Sequence, residues 1–405
     1  MIPLADVQRE VLGAVAPLGA ATLSPADAVG LVTAEDVVAG EAVPPFANTA
    51  MDGYAVRAAD TAGAGPDAPV RLAVTGDLPA GHAPTRAVEP GESIRIMTGA
   101  PVPDGADAVV MVEYTERDGD AVQVMHAATP GDHVRAAGGD LATGDAVFPA
   151  GTVLGPAHVG VLASLGFAEV EVVSRARVGV LSTGDELVER GRLRPGQIRD
   201  SNRPMLLALV AAAGADALNL GLARDDESII TRTLEDALAT CDAVITSGGV
   251  SVGEFDYVKS ALDRLGGLQS RQVAIKPAKP LAFGVIDGTP VFGLPGNPVS
   301  SLVSFELFAR PALLKMIGHR ARFRPEVTAT AERAMPRKPD GKLHLDRVRV
   351  RAEGDGYVAT RTGDQASNVL SATALANGLA LLADGDGVPE GGEVRVMRLD
   401  WPADH

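Results

Sequence analysis

The chain has 405 residues, 46% hydrophobic and 22% charged, a composition that excludes a protein disordered throughout. Its 36 basic and 52 acidic residues give a net charge of −16, which repels nucleic acid and anionic membranes. Only six of the basic residues are lysines, and none precedes Lys259. We therefore expect any anionic substrate to be bound at a local site, with the help of a metal ion.

The single cysteine, Cys241, cannot form an internal disulfide, which suits a reducing compartment and excludes a cysteine-based zinc site. The N-terminal segment MIPLADVQRE has no basic n-region, so no signal peptide is predicted. The longest apolar stretch, residues 205–223, is interrupted by Gly214, Asp216 and Asn219 and does not predict a membrane span. The sequence thus predicts a cytoplasmic protein with no membrane or nucleic-acid partner.

The first 174 residues change character twice. Residues 1–40 are predicted to be helical, with a second helix starting at Ser24-Pro25, where an N-cap residue precedes a proline. Residues 41–140 alternate short β-type runs with Gly, Pro and Asp clusters, which predicts a β-rich domain. Residues 141–174 become partly helical again. The β-rich domain would then be inserted into a discontinuous helical and mixed domain, 1–40 plus 141–174.

The second half is predicted to hold two further domains. Residues 175–322 alternate strand and helix patterns, which predicts a three-layer α/β domain with a mostly parallel sheet. Ligands of such sheets bind beyond the carboxyl ends of the strands. Residues 323–405 show only strand patterns and predict a C-terminal β-barrel-like domain. The predicted fold class is therefore multi-domain, α/β plus β.

Polar segments follow three of the predicted parallel strands. Residues 182–186 carry a hydroxyl and two acids, which suit magnesium or a general base, although a solvated turn has the same composition. Residues 247–256 are rich in glycine, whose free backbone N–H groups can surround an anion. Asn297-Pro298 marks a helix start. Two Gly-rich loops that lead into helices favour a phosphate-bearing ligand.

The segment Lys276-Pro277-Ala278-Lys279-Pro280 is the most informative short stretch. Its prolines disfavour a helix and stiffen the backbone between two of the rare lysines. The segment therefore predicts two ammonium groups directed at an anion. Acids in other loops, such as Asp52 and Asp140, are individually weak signals because most loop aspartates form turns. No HExxH, Walker, GxSxG or GxGxxG motif occurs, which disfavours P-loop NTPases, α/β-hydrolases and NAD enzymes.

Together, six segments closely resemble one family. They are PPFANTAMDGYAV (44–56), RIMTGAPVPDGADAVVMVE (95–113), LSTGDELVERGRLRPGQIRDSN (181–202), ITSGGVSVGEFDYVK (245–259), KPAKPLAFG (276–284) and GLPGNPVSSLVSFELF (293–308). The chain resembles the molybdopterin molybdenumtransferases, the bacterial counterparts of the E domain of gephyrin, over essentially its whole length.

The resemblance implies an activity and its partners. Members insert molybdate into adenylylated molybdopterin, hydrolyse the adenylate, and release AMP and the molybdenum cofactor, with Mg²⁺ as the metal. The resemblance also implies a homodimer with a shared cleft, and contacts with the molybdopterin adenylyltransferase and with molybdoenzyme apoproteins. Residues 175–322 would be the molybdopterin-binding domain.

The resemblance also implies roles for individual residues, through the segments that match the family. Catalytic roles fall on Asp52, Glu186, Asp225, Asp226 and Asp256, and of these Glu186, Asp225 and Asp256 would hold the metal. Substrate-binding roles fall on Thr98, Asp140, Ser182, Thr183, Gly184, Ser247, Gly248, Gly249, Lys276, Lys279, Pro295, Gly296, Asn297, Pro298, Ser300, Arg347 and Ser371. Asp52 would reach the other subunit's cleft. The two lysines would bind molybdate, with Arg347 and Ser371 lining its pocket.

One departure from the family pattern, one choice between two residues and two alternative functions stay open. Gly138-Gly139 stands where many members have Gly-Glu, so one acid is missing beside Asp140. The choice between Asp225 and Asp226 is undecided. The adenylyltransferase of the same pathway shares a domain like 176–320 but lacks the other domains. A non-enzymatic scaffold is the third reading, because the E domain of gephyrin also clusters receptors, but the retained acids and lysines favour chemistry.

Overall fold

The structure is a computed structural model, and it describes residues 1–248 and 257–399. Residues 1–174 form short strands and two helices, α1 and α2. They are α1 (Leu4–Gly13), β1 (Ala20–Leu23), β2 (Val37–Val38), β3 (Asn48–Thr49), β4 (Gly53–Val56), β5 (Val70–Leu78), β6 (Glu92–Ile96), β7 (Ala108–Met111), β8 (Thr115–Asp118), β9 (Ala121–Val124), β10 (Val134–Arg135), β11 (Ala146–Phe148), α2 (Pro156–Ser164) and β12 (Val170–Val173).

The prediction that residues 1–40 are helical is wrong beyond α1. Helix α1 forms because Val7 and Val11 bury one face. The second predicted helix is a turn, in which the amide of Asp27 donates to Ser24 Oγ at 3.2 Å. Ser24 thus caps the turn, but Gly30, in the left-handed region at φ 81°, ends it before a helix can form. A capping signal marks a reversal of the chain as readily as a helix.

Segments far apart in sequence pair in the first half of the chain. Strand β1 pairs with β12 and β2 with β11, which joins residues 1–40 to residues 141–174. Between them, β7-β4-β6-β5-β9-β8 form a six-stranded sheet. Its two faces bury separate apolar clusters, one around Tyr54 and Leu72 and one around Ile94 and Ile96. The alternation along each strand therefore fills two small cores.

Residues 175–322 form the strands and helices of the α/β unit. They are β13 (Arg177–Thr183), β14 (Leu187–Val188), β15 (Ile198–Arg199), α3 (Asn202–Ala212), β16 (Asp216–Ala223), α4 (Glu227–Thr240), β17 (Ala243–Ser247), α5 (Tyr257–Leu265), β18 (Gln269–Gln272), β19 (Ile275–Lys276), β20 (Pro280–Ile286), β21 (Thr289–Leu294), α6 (Pro298–Ser304) and α7 (Arg310–Met316). A π-helical turn, Phe305–Ala309, makes α6 and α7 one continuous helix. This confirms the helix start predicted at Asn297-Pro298.

The α/β sheet has the order β16-β13-β17-β21-β20-β18. Its first four strands are parallel and their carboxyl ends meet at one edge, as predicted. The last two, β20 and β18, run antiparallel and were not predicted. Gln269–Gln272, which forms β18, lacks an apolar pattern. This antiparallel edge matters because Lys276 and Lys279 lie on the chain between its two strands.

The last region closes into a barrel. Its elements are β22 (Glu326–Ala331), β23 (Met335–Pro336), β24 (Leu343–Glu353), β25 (Gly356–Arg361), α8 (Leu370–Ala374), β26 (Gly378–Leu382), β27 (Gly387–Val388) and β28 (Glu393–Arg398). The order β24-β25-β22-β28-β26 closes because β26 also pairs with β24. Closure removes the unpaired edges that an open sheet would expose. The predicted fold class is confirmed. Over the described residues, we find no helix with the length and hydropathy that a membrane span requires.

Candidate functional site

The main cleft lies between the α/β unit and the C-terminal barrel and has a volume of about 870 Å³. Residues 275–280 and parts of 295–300 line one wall, and parts of 336–346 and 361–368 line the other. Two backbone contacts join the walls. Strand β19 pairs with β24, which sets Lys276 opposite His344, and the amide of Val299 donates to the carbonyl of Ser367 at 3.2 Å.

Four of the six lysines of the chain line this one cleft. Lys276 and Lys279 come from the α/β unit, and Lys338 and Lys342 from the barrel. Between the first two, Ala278 is buried in the left-handed region at φ 72°, so the backbone turns there while both lysine side chains are exposed. In a chain of net charge −16, this local excess of ammonium groups is the clearest sign of an anionic ligand.

A single carboxylate organises the barrel wall of the cleft. Asp340 accepts hydrogen bonds from Lys342 Nζ at 2.8 Å, from His344 Nε2 at 3.2 Å and from Arg337 Nη2 at 2.8 Å. The hydrogen bonds from Lys342 and then His344 hold the pKa of Asp340 far below its ordinary value. Asp340 therefore stays charged and fixes these three side chains at the wall.

The described parts of the polar segments predicted at the strand ends lie at one edge of the sheet, and one side chain connects two of them. Ser247 ends β17, and the segment of Gly296 follows β21. Asn202 Nδ2, at the start of α3, donates to Ser247 Oγ at 2.8 Å and to the carbonyl of Gly296 at 2.7 Å. Its Oδ1 is buried and has no partner among the described residues. Asn202 thus links the end of β17 to the segment that follows β21.

Some of the predicted binding residues lie behind this edge. Ser182, fully buried, donates to Asp200 Oδ1 at 3.2 Å, and Asp200 in turn accepts a hydrogen bond from Arg203 Nε at 2.9 Å. Thr183 is buried beneath Gly248, where a Cβ would lie 3.3 Å from the Thr183 carbonyl. These residues therefore shape the loops from below.

Other predicted binding residues face the cleft directly: Pro295, Asn297 and Ser300 all line it. Asn297 occupies the N-cap position of α6, with Pro298 as the first helical residue, but its side chain makes no capping hydrogen bond. The side-chain amide of Asn297 is therefore available to bind a ligand in the cleft. Predicted residues Gly249 and Asp256 lie outside the described residues.

The acids at the sheet edge divide into two kinds. Asp225 and Asp185 approach each other, and the amide of each lies 3.4 Å from the carboxylate of the other. Glu186 folds back over Gly184, where a Cβ would lie 2.5 Å from its Oε2. Asp226 instead caps α4, and its hydrogen bonds from Ser228 and Ile229 lower its pKa. The geometry favours Asp225 over Asp226 for chemistry.

Asp52 and Thr98 form a second, separate site on the inserted sheet. Asp52 Oδ1 accepts hydrogen bonds of 2.7 Å from both Thr98 Oγ1 and the Thr98 amide, which lower the pKa of Asp52. Asp140 lies where its segment bridges to Val43. Among the described residues lining the main cleft, none belongs to the inserted sheet. One chain therefore holds these acids apart from its own lysines.

Three family models cover most of the chain. They describe a MoeA N-terminal region (domains I and II) at residues 2–166, a probable molybdopterin-binding domain at 179–315, and a MoeA C-terminal region (domain IV) at 328–399. The chain is 43% identical over 380 residues to molybdopterin molybdenumtransferase 2 of Mycobacterium tuberculosis, covering 92% of both chains. It is 38% identical to the molybdopterin molybdenumtransferase of Haemophilus influenzae, covering 91% of this chain and 90% of the other.

The chain belongs to the molybdopterin molybdenumtransferase (MoeA) family. The structural comparison agrees. Two crystal structures of a molybdopterin biosynthesis MoeA protein from Pyrococcus horikoshii have TM-scores of 0.86 and 0.82 at 32% and 30% identity. They cover 99% and 98% of this chain and are themselves covered completely. The resemblance seen in the sequence is therefore confirmed.

Two residues that the MoeA family resemblance places in the molybdate pocket do not line the cleft of this member. Arg347 is fully buried on β24, and its guanidinium donates only to backbone carbonyls. Ser371 is exposed in α8 and is absent from the lining of the cleft. Their assigned roles stay predictions.

The sequence analysis missed several polar residues at the MoeA cleft. The rarity of lysine was a usable signal for Lys338 and Lys342, because the same argument had already singled out Lys276 and Lys279. Asn202 ends the family segment 181–202 but was given no role. No sequence signal shows that it reaches two other loops, since that contact depends on how α3 packs.

Proposed function

We propose that this protein inserts molybdate into adenylylated molybdopterin, with hydrolysis of the adenylate and release of AMP. The observation that carries the proposal is the cleft that gathers four of six lysines beside the loops of a molybdopterin-binding domain. The names of the relatives support the transferase activity. We also propose that the protein acts in the cytoplasm.

The residues of the cleft suit the two anions of the reaction. Lys276 and Lys279 can donate charge-assisted hydrogen bonds to the oxygens of molybdate, a dianion. Ser247 at the end of β17 and Gly296 after β21, linked by Asn202, lie at the edge of the sheet where we propose that the nucleotide and pterin bind. In this proposal the protein acts mainly by positioning the oxyanion beside the dithiolene.

We also propose a magnesium ion at the acidic part of this edge. Across residues 1–248 and 257–399, no three His, Cys, Asp or Glu side chains are grouped to hold a metal. The donor set still fits Mg²⁺, because this ion is commonly bound by one or two carboxylates together with substrate phosphates. Glu186 and Asp225 would supply the carboxylates, with Asp256 as the further predicted ligand. When bound, the ion would neutralise the pyrophosphate for attack by water.

Gly184→Ala is expected to weaken the response to magnesium. A Cβ at Gly184 would lie 2.5 Å from Glu186 Oε2, so the carboxylate must move. We expect the Mg²⁺ concentration that gives half-maximal AMP release to rise about tenfold. The control is Gly191→Ala, at φ 90°, whose added Cβ meets nothing within 4 Å. An equal response to Mg²⁺ in both variants would contradict the role of Glu186.

Substitutions of Asp225 and of Asp226 are expected to change different properties, AMP release and stability respectively. Asp225→Asn should lower AMP release about tenfold to a hundredfold without changing stability. Asp226→Ala should lower the denaturant midpoint, because α4 loses its N-cap, and leave AMP release unchanged. The contribution of Asp226 is present above the ordinary carboxyl pKa and is lost as the pH falls through its lowered folded pKa. Urea denaturation at pH 7 and at pH 3 would check this.

We propose a homodimer in which Asp52 and Thr98 of one subunit complete the cleft of the other. The support is that these residues form a built pair that does not line the cleft of their own chain. Molybdopterin adenylyltransferase and molybdoenzyme apoproteins are the proposed protein partners, upstream and downstream of this step.

The decisive test is a single-turnover assay with the purified protein. It is incubated with adenylylated molybdopterin, with and without molybdate and Mg²⁺, and AMP is measured by chromatography. We expect AMP release only when both are present, and activation of a molybdoenzyme apoprotein by the product. Formation of pyrophosphate with ATP instead would assign the adenylyltransferase step. No AMP under any condition would support a scaffold.

A further inference from the structure

Three successive carbonyls of the cleft wall point at one buried guanidinium. Arg347 Nη1 donates to the carbonyl of Gln365, and Nη2 donates to those of Asp364 and Ala366, each at 3.0 Å. Arg347 is fully buried, whereas residues 364–368, here named the cleft loop, line the cleft. The arginine therefore contacts the back of the wall and not its open face.

This arrangement determines where the amides of the cleft loop point. Its peptide bonds are trans, because the cis bonds of the described chain lie at Pro44 and Pro277. In a trans peptide unit the N–H points away from the C=O, so the amides of residues 365–367 point away from Arg347. Asp364 Oδ1 accepts from the Ala366 amide at 2.9 Å. Within the described chain, the amides of Gln365 and Ser367 have no acceptor.

The cleft loop is also fixed by further hydrogen bonds. Gln365 Oε1 accepts from the backbone amide of Arg347 at 2.7 Å, and Gln365 Nε2 donates to the carbonyl of Gly363 at 2.9 Å. The carbonyl of Ser367 accepts from the amide of Val299, across the cleft. Donors held in this way need no reorganisation when a negative charge arrives.

We propose that Arg347 is a positioning residue that turns the free amides of Gln365 and Ser367 toward an oxyanion in the cleft. This inference rests on the proposed function and deepens it. Backbone amides of the barrel would bind the oxyanion from one wall, and Lys276 and Lys279 would bind it from the other. Arg347 would thus act on molybdate through the loop, without touching it.

Binding of molybdate alone, measured by calorimetry on the full-length protein, tests this. Arg347→Lys keeps the charge but loses the planar fork that reaches three carbonyls. Gln365→Met removes a tether without changing any charge. We expect both variants to raise the Kd about tenfold. The matched control is Arg351→Met, on the same strand as Arg347. It removes a cation that pairs with Glu332 and Glu353, and this variant should bind like the wild type.

Hydrogen exchange of the wild-type protein tests the same inference without substitution. Molybdate should slow exchange of the amides at 365 and 367, read from peptides that cover residues 363–369. Unchanged exchange would overturn the inference, and so would wild-type binding of molybdate by Gln365→Met. If Arg347→Lys alone binds molybdate weakly, Arg347 contacts the oxyanion directly. If the wild type binds molybdate but both variants match it, the inference fails and the proposed function stands. A wild type that does not bind molybdate overturns both.

Discussion

Replacing Lys276 and Lys279 together with methionine is expected to abolish molybdate-dependent AMP release, by about a thousandfold. Both lysines line the cleft from one short segment, and each would donate to the dianion. Loss of two hydrogen bonds to a charged group accounts for this magnitude. The measurement is AMP formed from adenylylated molybdopterin at saturating molybdate.

The control for this experiment is Arg9→Met, because Arg9 is exposed on α1 and pairs with Asp6 on the same helix. It removes one positive charge far from the cleft and should release AMP at the wild-type rate. Melting curves of all variants should coincide, since both lysines are exposed. Wild-type AMP release by the double variant would refute the assignment of the oxyanion to these lysines.

Asp52→Asn is expected to be inactive alone and to regain activity when mixed with the double lysine variant. If Asp52 acts on the partner's cleft, a mixed dimer contains one site with both an intact Asp52 and intact lysines. Random mixing of a twofold dimer then restores about a quarter of wild-type AMP release. The assay follows AMP after the two inactive proteins are exchanged under mild dissociating conditions.

Two outcomes would separate the possibilities. Restored activity that depends on protein concentration supports the shared site. No restoration, in a mixture shown by native mass spectrometry to contain mixed dimers, would place Asp52 in the cleft of its own chain. Thr98→Val should release less AMP than the wild type in the same assay, because it removes one of the two donors that hold Asp52.

The parallel sheet and the barrel were predictable because each strand carries its own apolar pattern. The strands β13, β17 and β21 are buried along their length, and continuous apolar runs show this directly. The antiparallel strand Gln269–Gln272 has exposed polar residues and gives no such signal. The turn at Ser24 shows the opposite failure, a strong local signal without a helix.

The site was predictable only where chemistry and rarity coincide. Lys276 and Lys279 stand out by composition, but the contact of Asn202 with Ser247 and Gly296 depends on packing across 45 and 94 residues. The role given to Arg347 stays a prediction, and the structure places this residue behind the cleft wall. Arg347 is buried because its side chain points inward from β24, and the motif match does not show this orientation.

The concentration of lysines also has a practical consequence for anyone who handles the protein. Outside the cleft lining, Lys315 donates a hydrogen bond to the Leu12 carbonyl at 2.7 Å. Amine-reactive dyes, sensor-chip coupling and lysine cross-linkers will therefore modify lysines of the cleft. Labelling or immobilisation meant to preserve ligand access is better directed to carboxylates or to an added affinity tag.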